Sequence, residues 1–267
     1  MQEWTVETPQ VIDIPGDVRS LAVRLVAGHV DVVTTDGPTA RVEVTEVDND
    51  PVTVSIDDEG RLVVRHMKLS WDGILGWFKA ERRRAVVSVA VPVDCDTSIG
   101  LVSADAVVAG VHGKVDVRSV SGGLTLDDVT GNVRVESVSG DVEARGLAGS
   151  IGLKSVSGGL TVVDGSPAQV RADSVSGDVA LDLQSPGLID INVKTVSGDV
   201  NVRVPERTGL DVDVASTSGD LACAFDGLDR DSRPGAKRLH GAVGDASGRL
   251  RGRTVSGSVA LLARQSA

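Results

Sequence analysis

The chain has 267 residues and a net charge of −11, with 31 Gly and 9 Pro but only three Trp, two Phe and no Tyr. With 41% hydrophobic and 24% charged residues it can bury a substantial core and is not a disordered chain, and a Val-rich sequence this poor in aromatics requires sheets packed close together. Residues 1–92 carry −5, residues 93–226 carry −11 and residues 227–267 carry +5; so acidic a middle excludes nucleic acid as a partner, because phosphate contacts need a basic face.

The amino terminus, Met1-Gln2-Glu3-Trp4, has no basic segment leading into an apolar one, and no apolar run approaches the ~18 residues of a membrane span. The expectation is a chain without signal peptide or transmembrane segment, cytoplasmic or peripherally membrane-associated. Residues 1–92 alternate in Leu21-Ala22-Val23-Arg24-Leu25, Val30-Asp31-Val32, Val42-Glu43-Val44, Leu62-Val63-Val64 and Val86-Val87-Ser88-Val89-Ala90-Val91, with turns at Asp36-Gly37-Pro38 and Glu59-Gly60. They predict hairpins forming a β-rich N-terminal cap.

An aromatic insertion interrupts that cap near residues 66–84. Trp71, Ile74, Leu75 and Phe78 follow helical spacing, Trp77 and Lys79 lie among them, and Arg82, Arg83 and Arg84 follow directly. An apolar stripe beside cations suits a partner's groove or a peripheral membrane contact. Folding back over an open end of the structure is the competing expectation.

From residue 93 onward the dominant signal is a repeat. The motif Ser-Val-Ser-Gly-Gly/Asp-Leu/Val begins at Ser119, Ser137, Ser155, Ser174, Thr195, Ser216 and Thr254, in steps of 18, 18, 19, 21, 21 and 38. Gly113, Gly131, Gly149 and Pro167 keep the same period halfway between, followed by Gly187 and Gly209. Two short strands and two turns per period predict an all-β fold, a parallel β-solenoid of two-sheet flattened coils of about 18–21 residues. The repeated corners fall at Gly122, Gly140, Gly158, Gly177, Gly198, Gly219 and Gly257, where glycine supplies positive φ. Inward rows read Val117, Val135, Leu153, Ala172, Val193 on one sheet and Leu126, Ala144, Val162, Leu181, Val202, Cys223 on the other. An outward row reads Arg118, Glu136, Lys154, Asp173, Lys194, an alternating ion ladder if the coils stack in register, each exposed rung worth ~0.2–1 kcal/mol. The last step of 38 implies an insertion near residues 226–248, a candidate second cap. Arg249, Arg251 and Arg253 then carry positive charge, for which balancing the acidic body is the expectation and an anionic partner the alternative.

The corner acids Asp141, Asp178, Asp199 and Asp220 form one row, for which turn hydrogen bonding is favoured over a metal. Cys223 reads as a buried small residue, and Cys95 and Cys223 are too few for a disulfide framework. His29, His66, His112 and His240 have no ligand spacing, and no phosphate loop or nucleophile elbow occurs. No catalytic residue, metal or cofactor is expected.

The repeated Ser-Val-Ser-Gly-Asp-Val cores, with the early Val-rich hairpins and the ending Gly248-Arg249-Leu250-Arg251-Gly252-Arg253-Thr254-Val255-Ser256-Gly257-Ser258-Val259, resemble the bacterial putative adhesin family, a domain of unknown function. That resemblance implies a parallel β-solenoid without catalytic activity, associated with cell-envelope processes. The functional expectation is a non-enzymatic scaffold or binding module for a protein partner or cell-envelope component. The alternatives are a self-assembling cytoplasmic scaffold joined through its ends, and a polysaccharide-active β-helix enzyme, which would need carboxylates and stacking aromatics that the repeats lack.

Overall fold

The structure is a computed structural model that describes residues 1–66, 83–184, 187–233 and 235–264. The described residues are all-β, with no helix among them. They group into two compact units, Met1–Val133 and Arg134–Ala267.

The first unit contains β1 (Gln2–Val6), β2 (Gln10–Ile14), β3 (Ser20–Thr35), β4 (Ala40–Asp48), β5 (Val52–Ile56) and β6 (Arg61–His66). After the aromatic insertion come β7 (Arg84–Pro92), β8 (Asp96–Ala109), β9 (Val115–Ser121) and β10 (Leu124–Asp127). Alternation holds the strands to the core. Val87, Val89 and Val91 of β7 are fully buried, as are Val30 and Val32 of β3, each burial worth about 1.5–3 kcal/mol. Of the expected hairpins β5 with β6 is one; the other antiparallel pairs, β1 with β5, β2 with β4 and β4 with β7, join strands that are not consecutive in the chain.

β3 departs from the hairpin expectation. It pairs in parallel with β6 and β7 on one side and with β8 on the other, from Ser20↔Asp96 to Val32↔Val108. It therefore occupies the place of a repeat turn, although its sequence lacks the motif. Its corner is Gly28, at φ 120°, where a β-carbon would overlap the carbonyl of Ala85. From β8 onward the predicted step appears directly: β9 and β10 each pair with β8 at an offset of 18, as in Thr97↔Val115 and Ala106↔Leu124.

β11 (Asn132–Ser137) spans the boundary of the units. The second unit continues with β12 (Val142–Arg145), β13 (Ala148–Ser155), β14 (Leu160–Asp173), β15 (Val179–Leu183), β16 (Asp190–Lys194) and β17 (Val200–Pro205). It ends with β18 (Leu210–Ser216), β19 (Leu221–Cys223), β20 (Asp229–Arg233), β21 (Ala236–Val243), β22 (Gly248–Thr254) and β23 (Val259–Arg264). Parallel offsets of 18, 19 and 21 join β12 to β14, β14 to β15, β14 to β16 and β15 to β17. The inward rows are as predicted, with Leu153, Ala172, Val193, Val162, Leu181 and Val202 all buried.

At the carboxyl end the stacking order leaves the sequence order. β22 lies between β16 and β18, and β23 lies between β17 and β19. The last repeat is thus inserted between the turns that begin at Thr195 and Ser216. The outward residues supply a reason. Direct stacking would set Asp190 against Asp211 and Asn192 against Asp213, and the inserted strand places Arg249 and Arg251 between them. The predicted insertion near 226–248 forms the antiparallel hairpin β20–β21 on the far side of β18. Cys223, read as buried, is half-exposed instead, because the insertion of β23 leaves β19 covered on one side only, by Leu261 opposite Cys223.

Candidate functional site

The repeated corner is built by three kinds of bond. The first Ser or Thr of the motif accepts the N–H of the glycine three residues on: Gly158 to Ser155 at 2.7 Å, Gly177 to Ser174 and Gly198 to Thr195 at 3.0 Å, Gly219 to Ser216 at 2.9 Å and Gly257 to Thr254 at 3.0 Å. The second Ser donates to the neighbouring turn, Ser157 to the Val138 carbonyl, Ser176 to Val156 and Ser256 to Val196, each at 3.3 Å. The corner acid accepts a backbone N–H from the next turn, Asp141 from Gly159 at 2.9 Å, Asp178 from Asp199 at 2.8 Å and Asp199 from Ser258 at 2.7 Å.

The acids therefore staple one turn to the next rather than closing an Asx turn within their own. Asp220 is separated from Asp199 by the inserted Ser258, and it pairs with Lys237 Nζ at 2.6 Å, which holds its carboxyl below the usual range. Among the described residues no group of three or more His, Cys, Asp or Glu side chains is placed to hold a metal.

Positive φ is the reason for glycine at Gly122 and Gly140, both at 116°. At Gly158, Gly177, Gly198, Gly219 and Gly257 the reason differs: a β-carbon at each would overlap a carbonyl of the adjacent turn, in the order Gly140, Gly158, Gly177, Gly257 and Gly198. That order again places Gly257 between Gly198 and Gly219. The motif valines Val138, Val156, Val175, Val196 and Val255 stand about half-exposed along the same corner.

Of the predicted contact residues, Trp71, Ile74, Leu75, Trp77, Phe78, Lys79 and Arg82 lie outside the described residues. Arg83 and Arg84 are each set against an acid, Arg83 Nε 3.6 Å from Asp50 and Arg84 Nε 3.6 Å from Glu46. Near Asp50 and Arg83 lies His66, fully buried, its Nδ1 accepting the Val26 N–H at 3.1 Å. Burial lowers its pKa, against the pull of Asp50 and with the push of Arg83. Burial, and then Asp96, push the Cys95 thiol up to about 12, away from the thiolate that a nucleophile needs.

The outer faces hold groupings that the repeat alone did not reveal. Arg264 reaches Asp182 at 3.1 Å and Asp164 at 3.0 Å, Arg203 also pairs with Asp182, and Gln184 donates to Asp164 at 2.8 Å. This network ties β23 across the turns of β14, β15 and β17. On the other face Arg249 lies 3.7 Å from Asp211, and Arg238 lies 2.7 Å from Asp213. Alternation of Asp211 and Asp213 against Arg249 and Arg251 was the sequence signal for that pairing.

No helix among the described residues is long and apolar enough to cross a membrane. Three solved structures have similar chains. A putative cell adhesion protein from Clostridium sporogenes is 11% identical, with 96% of this chain and 100% of that chain covered and a TM-score of 0.27. A putative lipid binding protein from Parabacteroides distasonis is 11% identical over 96% and 97% of the two chains, with a TM-score of 0.37. A putative adhesin from Parabacteroides distasonis is 13% identical over 96% of each, with a TM-score of 0.36. No curated protein matches the chain. The sequence profile that does match spans residues 18–262, from the start of the Val-rich strands to the last repeat, and the chain belongs to the Toastrack DUF4097 family.

Proposed function

We propose that the protein is a non-enzymatic β-solenoid scaffold whose two-sheet coils present long, regular faces to a protein partner or cell-envelope component, in peripheral association with the envelope. The observation that carries this reading is the use of the corner polar groups. Ser155, Ser174, Thr195, Ser216 and Thr254 cap their own turns, and Asp141, Asp178 and Asp199 bond to neighbouring ones. Hydroxyls and carboxylates held in this way serve the framework, and its product is a set of flat outer rows repeated from turn to turn.

The aromatic insertion Trp71–Phe78, followed by Arg82, Arg83 and Arg84, is the proposed docking element for the envelope. Pull-down from separated membrane and soluble fractions of a native bacterial lysate, with wild type and the Trp77→Ser, Phe78→Ser variant, tests it. Recovery of a membrane component by wild type alone supports docking through the insertion. Equal recovery by both proteins removes the insertion from the interface.

Self-assembly through solenoid ends is the second reading, and one observation weighs against it. The edge strand β20 reads Asp-Arg-Asp-Ser-Arg with every residue exposed, and charge of this kind blunts edge-to-edge pairing. Light scattering across protein concentrations is expected to show no growth in mass.

A further inference from the structure

The alternating outward row of the second unit breaks where the last repeat enters. Across the sheet it reads Lys154, Asp173, Lys194, Arg253 and Ala215. Lys194 and Arg253 are register partners, so two cations stand directly opposite each other, an arrangement that is destabilising unless something offsets it. The adjacent row reads Gly152, Arg171, Asn192, Arg251 and Asp213. Asp213 is engaged by Arg238 at 2.7 Å, which with the charges of Arg253 and Arg251 holds its carboxyl below the usual range, so one acid is shared among three arginines.

Lys154, Arg171, Lys194, Arg251 and Arg253 are all exposed, and together they form a basic patch on a protein of net charge −11. Neighbouring strands set them about 4.8 Å apart across the sheet and alternate residues about 6.7 Å apart along it. The patch exists only because the repeat is inserted: stacking in sequence order would set Lys194 beside Ala215.

We infer that this face binds an acidic polysaccharide, one carrying carboxylates along a hydroxyl-rich chain. This assignment rests on the scaffold reading above and names its ligand. The cations supply charge-assisted bonds to carboxylates, with Arg171, Arg251 and Arg253 able to bind them bidentately. Between and beside them lie Asn192, Gln169, Asp173 and Asp190, which accept hydrogen bonds from sugar hydroxyls. A polymer bearing phosphate alone offers Asp173 and Asp190 no hydroxyl donors, whereas a sugar chain does. Strands β14, β16 and β22 carry no outward aromatic side chain on this face for bases to stack on, and the exposed Leu188, two residues before Asp190, is a lone apolar residue at its margin.

The test is titration of the full chain with polygalacturonate, using wild type, Arg253→Glu and, as a control of equal charge change, Arg207→Glu. Arg253→Glu sets an acid against Lys194, so its melting temperature is expected to equal or exceed that of wild type while its affinity falls about tenfold. Arg207→Glu is expected to bind as wild type does, and added salt to weaken wild type more than Arg253→Glu. Equal losses in the two variants, or binding of polyphosphate or anionic phosphatidylglycerol vesicles in place of polygalacturonate, would overturn the assignment. Failure of polygalacturonate to bind wild type overturns it too, and leaves the scaffold reading to the separate pull-down result.

Discussion

At single residues, close approach rather than composition decides what is tolerated. A β-carbon on Gly198 would overlap the Gly177 carbonyl, whereas at Gly37 the nearest atom is the Thr39 hydroxyl at 3.9 Å. Gly198→Ala is therefore expected to destabilise the fold by about 2–4 kcal/mol, and Gly37→Ala by less than about 0.5 kcal/mol, in urea unfolding. The thiols divide in the same way. Cys95 is buried with its pKa raised and Cys223 is half-exposed on an edge strand, so a native thiol titration is expected to modify Cys223 alone. Modification of both in the native state would show that the turn leading into β8 opens readily.

Between elements, the informative question is which strand neighbours which. The inserted order makes residues 192 and 251 register partners and puts residue 213 one strand further away. In a Cys223→Ser background, Asn192→Cys with Arg251→Cys is expected to form a disulfide under mild oxidation, since parallel neighbours lie about 4.8 Å apart. Asn192→Cys with Asp213→Cys, about 9.6 Å apart on the same spacing, is expected to remain reduced. The opposite pattern would restore sequence-order stacking and dissolve the basic patch. β3 teaches the same lesson from the other end: its sixteen residues alternate as any strand does, yet they take the place of a repeat turn. Its corner glycine, Gly28, sits in Ala-Gly-His rather than in the motif, so periodicity could not find it.

Across the molecule, the two units are expected to respond to acid in different ranges. In the first, His66 is neutral in the fold, with a pKa lowered by burial from the ordinary 6.5. Its contribution to stability is complete above that value and is lost as pH falls from 6.5 toward the folded pKa, because the unfolded chain takes up the proton first. In the second, Arg203 holds Asp182, and Gln184 with Arg264 holds Asp164, below the ordinary 3.8. That contribution is present above 3.8 and disappears as pH falls further. Melting profiles against pH should show the first loss removed in His66→Gln and the second reduced in Arg264→Ala. An unchanged profile in His66→Gln would assign the first loss elsewhere.

The sequence by itself determined the period, the two strands per turn and the inward and outward rows, because side chains of a strand alternate and a repeated corner needs the same small residues each time. The corner chemistry was legible as far as the residue types, Ser, Gly and Asp. Its direction was not, since only coordinates reveal that Asp141, Asp178 and Asp199 reach into the next turn. Tertiary structure alone decided the order of stacking. A repeat whose turns share one motif accepts several neighbours, and the choice falls to long-range complementarity, here Arg249 and Arg251 entering between β16 and β18. The same choice moved Cys223 to an edge and brought Lys194 beside Arg253.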